Sequence, residues 1–384
     1  MNYFLTAEQE LIQQITRRFA RERVAPVAAE LDEKGEFPRK LLGVLAKTDL
    51  CGVSIPEAYG GLGEGIFGFC LVVEEISRVD SGVAICFAAT GLGTIPLLLF
   101  GTEEQKQQYL PDVAAGKKLG AFALTEANAG SDSSAQETTA VRDGDYYVLN
   151  GTKQWITNGR EADIYTVIAV TNKAKGARGI SAFIVEKGTP GFSFGKKEQK
   201  MGIRASSTTG LIFNNCRVPG ANLLAREGMG LIVALKTLDK SRPGVGAQAV
   251  GIAQGALDQA IKFARQRVQF GQPIIQFQAI QHMLADMATQ TEAARALVYS
   301  VARTIDSGTK EISKASAMAK MFASDVAMRV TTDAVQVMGG AGYMKEYPVE
   351  KMMRDAKITQ IYEGTNQIQR SVIASELIKE RDEW

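Results

Sequence analysis

The spacing of apolar and polar positions changes character twice along the chain. Leu11, Ile12, Ile15 and Phe19 recur at helical spacing behind Thr6 and Gln9, a capping-box pattern, and Pro26 is expected to end that run. A turn-rich break, Ile55-Pro56-Glu57-Ala58-Tyr59-Gly60-Gly61-Leu62-Gly63, precedes apolar helical patterns over about 66–79 and 83–100 and a charged amphipathic one near 103–115. From about residue 121 short β segments take over, at 120–124, 146–149, 154–157, 164–170, 180–185, 192–194 and 210–213. The pairs Asp143-Gly144, Asn150-Gly151 and Asn158-Gly159 punctuate them as turns. Beyond Pro219 and Gly228/Gly230 long helical patterns return, and the Ala and Gly along 244–259 and 315–337 allow close helix approach. This order predicts an α+β multidomain chain: an N-terminal helical domain at 1–120, a middle β-barrel or sandwich at 121–229, and a C-terminal four-helix bundle at 230–384. A chain of 384 residues also exceeds the roughly 250–300 that one core serves.

Charge narrows the partners. With 44 basic and 42 acidic residues, no global field favours nucleic acid or an anionic membrane, which leaves small molecules or proteins. Cys51, Cys70, Cys86 and Cys216 are widely spaced in apolar surroundings, without a CxxC pair, and read as free buried thiols in a reducing compartment. The N-terminus turns amphipathic and charged within its first residues, and no run of about eighteen uninterrupted apolar residues occurs. A cytoplasmic chain without a cleaved signal or membrane span is expected. The single histidine, His282, lies in a helical pattern, which disfavours Ser-His-Asp, Cys-His and most zinc chemistry. Chemistry must rest on a carboxylate, lysine, tyrosine or bound cofactor.

One segment carries such a carboxylate: Gln360-Ile361-Tyr362-Glu363-Gly364-Thr365-Asn366-Gln367-Ile368-Gln369-Arg370. It sets Glu363 directly before turn-forming residues and a renewed helical pattern, so the side chain either projects into a cavity or is simply solvated. Four further motifs stand at Leu124-Thr125-Glu126-Ala127-Asn128-Ala129-Gly130-Ser131-Asp132, Trp155-Ile156-Thr157-Asn158-Gly159, Arg267-Val268-Gln269-Phe270-Gly271 and Gln336-Val337-Met338-Gly339-Gly340-Ala341-Gly342. The glycines of the last follow no clear strand, which rejects a dinucleotide-binding Rossmann reading. In this order the five motifs resemble the acyl-CoA dehydrogenases over nearly the whole chain, in particular the butyryl and medium-chain types.

The resemblance implies an FAD enzyme with the acyl-CoA dehydrogenase fold, in which Glu363 takes the proton alpha to a thioester and flavin N5 accepts the beta hydride, giving a trans-2-enoyl-CoA. Phe122, Leu124, Thr125 and Ser131 would line the flavin and the pantetheine entrance, and Trp155 and Thr157 the opposite flavin surface. Arg267, Val268, Gln269, Phe270, Phe277, Gln278, Gln336, Gly339 and Gly340 would reach the FAD of a neighbouring subunit, implying a homo-oligomer, as a tetramer. Thr365, Asn366 and Gln367 would bind FAD beside the base. Ser131, Asp239, Arg242, Tyr362, Gly364 and Ala88 would contact substrate, and a plain helix ion pair is the alternative for Asp239 and Arg242. Some members carry their base at the position of Ser241, and a serine cannot serve there.

The acyl group and the direction are less defined. By resemblance 82–96 forms part of the acyl pocket, and Ala84, Ala88, Ala89, Gly91 and Gly93 suggest room within it. A saturated short- or medium-chain acyl-CoA is expected, with cyclic or aryl groups open and electron-transferring flavoprotein as partner. Running in reverse, the same site would be an enoyl-CoA reductase. A flavin oxidase on this scaffold, or a non-catalytic CoA- or flavin-binding subunit, would be expected to lack the Tyr-Glu-Gly signature that is present here.

Overall fold

The computed structural model describes residues 3–379; residues 1–2 and 380–384, at the ends of the first and third expected domains, lie outside them. Helix α1 (Ala7–Phe19) starts on the capping box foreseen, Thr6 Oγ1 accepting from Gln9 N at 3.2 Å and Gln9 Oε1 from Thr6 N at 3.3 Å. Pro26 does not end the helical run. The chain loosens into a π turn at Ala20–Val24, tightens into a 3-10 turn at Ala25–Val27 and continues as α2 (Ala28–Lys34). Pro26 sits in the first turn of the 3-10 segment, where its missing N–H costs little. Helices α3 (Arg39–Ala46), α4 (Gly65–Ser77), α5 (Ser81–Phe100) and α6 (Glu103–Ala114) complete this part.

α5 starts at Asp80, whose carboxylate accepts from Val83 N at 2.8 Å. Among the described residues it alone is long and apolar enough to cross a membrane, its apolar run broken only by small and hydroxyl residues. Within that stretch 67% is buried inside the protein, the position of a core helix.

The middle of the chain is one eight-stranded sheet built from β1 (Gly120–Ala123), β2 (Thr139–Asp143), β3 (Tyr146–Thr157), β4 (Ile164–Val170), β5 (Ile180–Glu186), β6 (Phe192–Lys197), β7 (Thr208–Pro219) and β8 (Leu223–Leu224). Its order is β6-β7-β3-β2-β4-β5-β8, with β1 parallel to β4 beside that path. β4 is buried on both faces, so its alternate residues serve two cores. Ile164 and Ile168 pack with Leu97, Leu110 and Val233 of the helices, while Tyr165 and Val167 pack with Leu149 and Phe213 of β3 and β7. The sheet therefore curls round its second core.

One of the three expected turns came out differently. Asn158-Gly159 turns the chain after β3. Asp143-Gly144 does join β2 to β3, but Asn150-Gly151 lies inside β3, at a register shift against β7. A Cβ on Gly151 would meet Thr138 Oγ1 at 2.6 Å, so this glycine permits a close crossing at a bulge rather than a chain reversal.

The last part is helical: α7 (Gly230–Gln266), the hairpin of β9 (Val268–Gln269) and β10 (Gln272–Pro273), α8 (Gln278–Asp306), α9 (Ser313–Met338), α10 (Val349–Thr359) and α11 (Asn366–Lys379). One core joins α4 and α5 to α7, α8 and α9. α7 and α4 approach so closely that a Cβ on Gly251 would meet Glu74 O at 2.3 Å, and one on Gly255 would meet Arg78 O at 2.2 Å. Helix propensity alone would favour Gly251→Ala by about 1 kcal/mol. Overpacking against backbone that cannot move aside costs ~1–3 kcal/mol, and wins. Gly251→Ala is expected to lower stability by up to about 2 kcal/mol in denaturant unfolding; a gain would show that α4 can retreat from α7.

Candidate active site

A cleft of ≈ 510 Å³ opens where the sheet meets α10 and the turn after it. Thr125, Ser131, Trp155 and Thr157 form its sheet side, and Ile358, Ile361, Tyr362, Glu363, Gly364 and Thr365 face them. Residues more than two hundred positions apart, each expected at one site, thus share it.

A buried charge pair shapes the sheet wall. Lys153, fully buried on β3, donates to Glu126 Oε1 and Gln136 Oε1, both at 2.5 Å, and to Leu124 O at 3.3 Å. The Glu126 carboxylate also accepts from the backbone N–H groups of Glu137 and Thr138. Burial works to raise the Glu126 carboxyl, but the Lys153 ammonium and these donors outweigh it and hold the carboxyl below its ordinary range; burial brings Lys153 down to about 8. The pattern missed this pair, because a lysine within a strand reads as solvated. Two residues on, Trp155 is left-handed (φ 56°), uncommon for a bulky residue, at a second register shift in β3. Its ring stays exposed to the cleft.

Opposite, the α10–α11 turn carries the carboxylate. Glu363 (φ 52°) and Gly364 (φ 92°) are both left-handed, and among the described residues neither N–H has an acceptor in the protein. Glu363 Oε2 accepts from Ser241 Oγ of α7 at 2.5 Å. Burial pushes the Glu363 carboxyl above its ordinary range, while Ser241, Arg242 and Lys320 pull it back in part. Ser241, unable to act as a base, instead serves the residue expected to be one. Tyr362 is turned from the cleft mouth, its hydroxyl donating to Gln248, which donates to Ser81 at 2.6 Å.

Other expected site residues lie elsewhere. Leu124 is buried beneath the cleft wall, and Phe122 packs in the adjoining core. Asp239 and Arg242 form a buried pair at 2.7 Å rather than a surface one; Ser313 also donates to Asp239, and among the described residues Arg242 Nε has no partner. Asn366 is buried under the turn, Gln367 points outward, and Ala88 is half-buried on α5. Arg267, Val268, Gln269, Phe270, Gln278, Gln336, Gly339 and Gly340 are exposed, Phe277 half-exposed, and none lines the cleft. His282 is exposed; Cys70, Cys86 and Cys216 are buried and Cys51 partly so, all as free thiols.

The acyl-CoA dehydrogenase N-terminal, middle and C-terminal domain families match residues 6–117, 121–216 and 228–378. The chain belongs to the acyl-CoA dehydrogenase family. A short-chain-specific acyl-CoA dehydrogenase of Megasphaera elsdenii is 49% identical over 384 residues, covering 99% of this chain and 100% of that one. An acryloyl-CoA reductase (NADH) of Anaerotignum propionicum is 49% identical over 387 residues, covering 99% and 96%. A solved chain described with the electron transferring flavoprotein of Acidaminococcus fermentans superposes with TM-score 0.97 at 53% identity, covering 99% and 100%.

The family is FAD-dependent. The cleft suits a planar ring with polar edges: Trp155 offers an aromatic face, and the side-chain hydroxyls of Thr125, Ser131 and Thr157 have no hydrogen-bond partner in the protein among the described residues. Lys153→Met would leave the Glu126 carboxylate buried without its cation, a loss of about 3–5 kcal/mol. The double change with Glu126→Gln is expected to recover much of that in unfolding experiments; equal losses in single and double variants would deny the coupling.

Proposed function

We propose that the protein oxidises a short-chain acyl-CoA to the trans-2-enoyl-CoA with Glu363 as the base. The observation that carries this reading is the Glu363 carboxylate, raised by burial and held by Ser241 at the end of a cleft whose far wall fits a flavin. A proton alpha to a thioester is weakly acidic, and a base poised upward by desolvation is better matched to it than an ordinary glutamate. The free N–H of Glu363 can donate to the thioester oxygen as negative charge develops there, a contact strongest at the transition state. Ser241 keeps the carboxylate from swinging out of line. Bound FAD supplies the acceptor for the beta hydride.

Packing favours a short acyl group. The glycines of α5 read as open space are largely filled: a Cβ on Gly91 would meet the Phe69 ring at 2.6 Å, and one on Gly93 would meet the Ala121 backbone at 2.6 Å. Phe69 stacks on Phe87 with ring centroids 5.2 Å apart, and the cavity beside them is only ≈ 30 Å³. The exposed set around Phe270, itself 94% exposed, supports a surface completed by a second copy of the chain, in a tetramer. Electron-transferring flavoprotein is the electron partner in this reading, and the likeness to an acryloyl-CoA reductase supports the reverse direction as the second reading.

Anaerobic bleaching of the bound flavin by a panel of acyl-CoAs tests both base and substrate. The rate is expected to be greatest with butyryl-CoA-sized substrates and to fall by ~10²–10⁴-fold or more in Glu363→Gln. Because only the ionised carboxylate accepts a proton and its pKa is raised, the wild-type rate should climb with pH through that raised value and be lost below it. Bleaching that survives in Glu363→Gln would remove this residue from the chemistry.

A further inference from the structure

Lys320 is fully buried on α9, directly beneath the turn that carries Glu363. Its ammonium donates to Gly364 O at 2.7 Å and to Asn366 Oδ1 at 2.8 Å. Gln369 of α11, also fully buried, donates to Gly364 O at 2.9 Å and to Glu363 O at 3.1 Å. The two left-handed residues thus have their carbonyls gripped from below by two side chains on different helices. A Cβ on Gly364 would meet Gln369 Nε2 at 2.6 Å, so the grip also requires glycine after the base.

Stability alone does not explain a lysine at this position. A cation beside the first turn of α11 meets the positive end of the helix dipole. Burial opposes its charge as well, bringing Lys320 down to about 7. A neutral donor would satisfy Gly364 O at lower cost. The charged groups acting on Lys320 are Glu363 of the turn and Asp325 of α9, which favour its protonation, and Arg242 of α7, which opposes it. Lysine therefore supplies something a neutral donor would not: a charge coupled to the Glu363 carboxylate.

We propose that Lys320, with Gln369, is the positioning device for Glu363: their hydrogen bonds fix the left-handed turn that aims the carboxylate into the cleft. This role rests on the base reading above. Lys320 itself does not line the cleft.

The test uses the FAD-loaded protein and two readouts. Infrared difference spectra of wild type against Glu363→Gln follow titration of the Glu363 carboxyl without any substrate, and anaerobic bleaching by butyryl-CoA follows the reaction. In Lys320→Met the Glu363 carboxyl should titrate at higher pH than in wild type, and bleaching should slow on the order of 100-fold, the loss expected from a misaimed group. Lys320→Arg should restore the titration toward wild type. Lys320→Gln keeps a donor for Gly364 O without charge, and decides the matter where the methionine variant does not fold; it should raise the titration while slowing bleaching less. Unchanged titration and unchanged bleaching in the neutral variants would overturn the role. A Lys320-dependent titration in a protein that no acyl-CoA bleaches would support the positioning role while sinking the dehydrogenase reading.

Discussion

The site depends on a short stretch of backbone that would not hold its shape alone. Glu363 and Gly364 are consecutive left-handed residues between two helices, a conformation that costs a non-glycine residue of order 1–3 kcal/mol. What holds it comes from three helices, two of them distant in sequence: Ser241 of α7 on the carboxylate, Lys320 of α9 and Gln369 of the adjoining α11 on the carbonyls. Since α7 and α9 pack on each other along their small residues and on α4 through Gly251 and Gly255, the aim of one carboxylate is set by the whole helical core. Strain of this kind persists only where surrounding structure over-determines it, and here three helices do so.

The opposite wall is built on the same principle with different parts. Lys153 and Glu126 tie β3 to the strand-to-loop segment that presents Thr125 and Ser131. A third buried set joins the walls: Lys351 of α10 bridges Asp355 at 2.6 Å and Asp80, the N-cap of α5, at 3.1 Å. Asp355 in turn accepts from Ile203 N, in the loop that closes one side of the cleft. Buried ion pairs contribute little net stability compared with apolar packing, yet each fixes a geometry that apolar contacts would leave free to slide. The three parts of the chain are thus pinned to one another beside the cleft.

How much of this can be read from residues alone follows from physical range. The capping box at Thr6 and Gln9 is local, and it formed as patterned. The short apolar run of β4 showed a strand, and its burial on both faces follows from that run being continuous. Pro26 and Asn150-Gly151 misled because each local preference was overridden by a neighbour, a 3-10 turn that needs no N–H at Pro26 and Thr138 pressing on Gly151. The Tyr-Glu-Gly segment announced a carboxylate through family likeness rather than through periodicity. Lys153 and Lys320 were invisible by either route, since a lysine in a regular pattern reads as solvated until the acceptors around it are known.

The small residues of α5 show why likeness in sequence stops short of substrate. An alanine or glycine on a core helix signifies either space for a ligand or the close approach of a neighbour, and the two are identical in one dimension. What separates them is the group standing opposite. At Gly93 it is the β1 backbone, and at Gly82 it is Ala205, so neither leaves room. At Gly91 the Phe69 ring fills the site, and because Gly244 of α7 touches the same ring, Phe69 is held from two helices and cannot easily turn aside. Ala88 is half-buried on α5 and packs against the helical core. In the proposed reading, the length of acyl chain accepted is governed less by α5, where the small residues are, than by whether Phe69 of α4 can move.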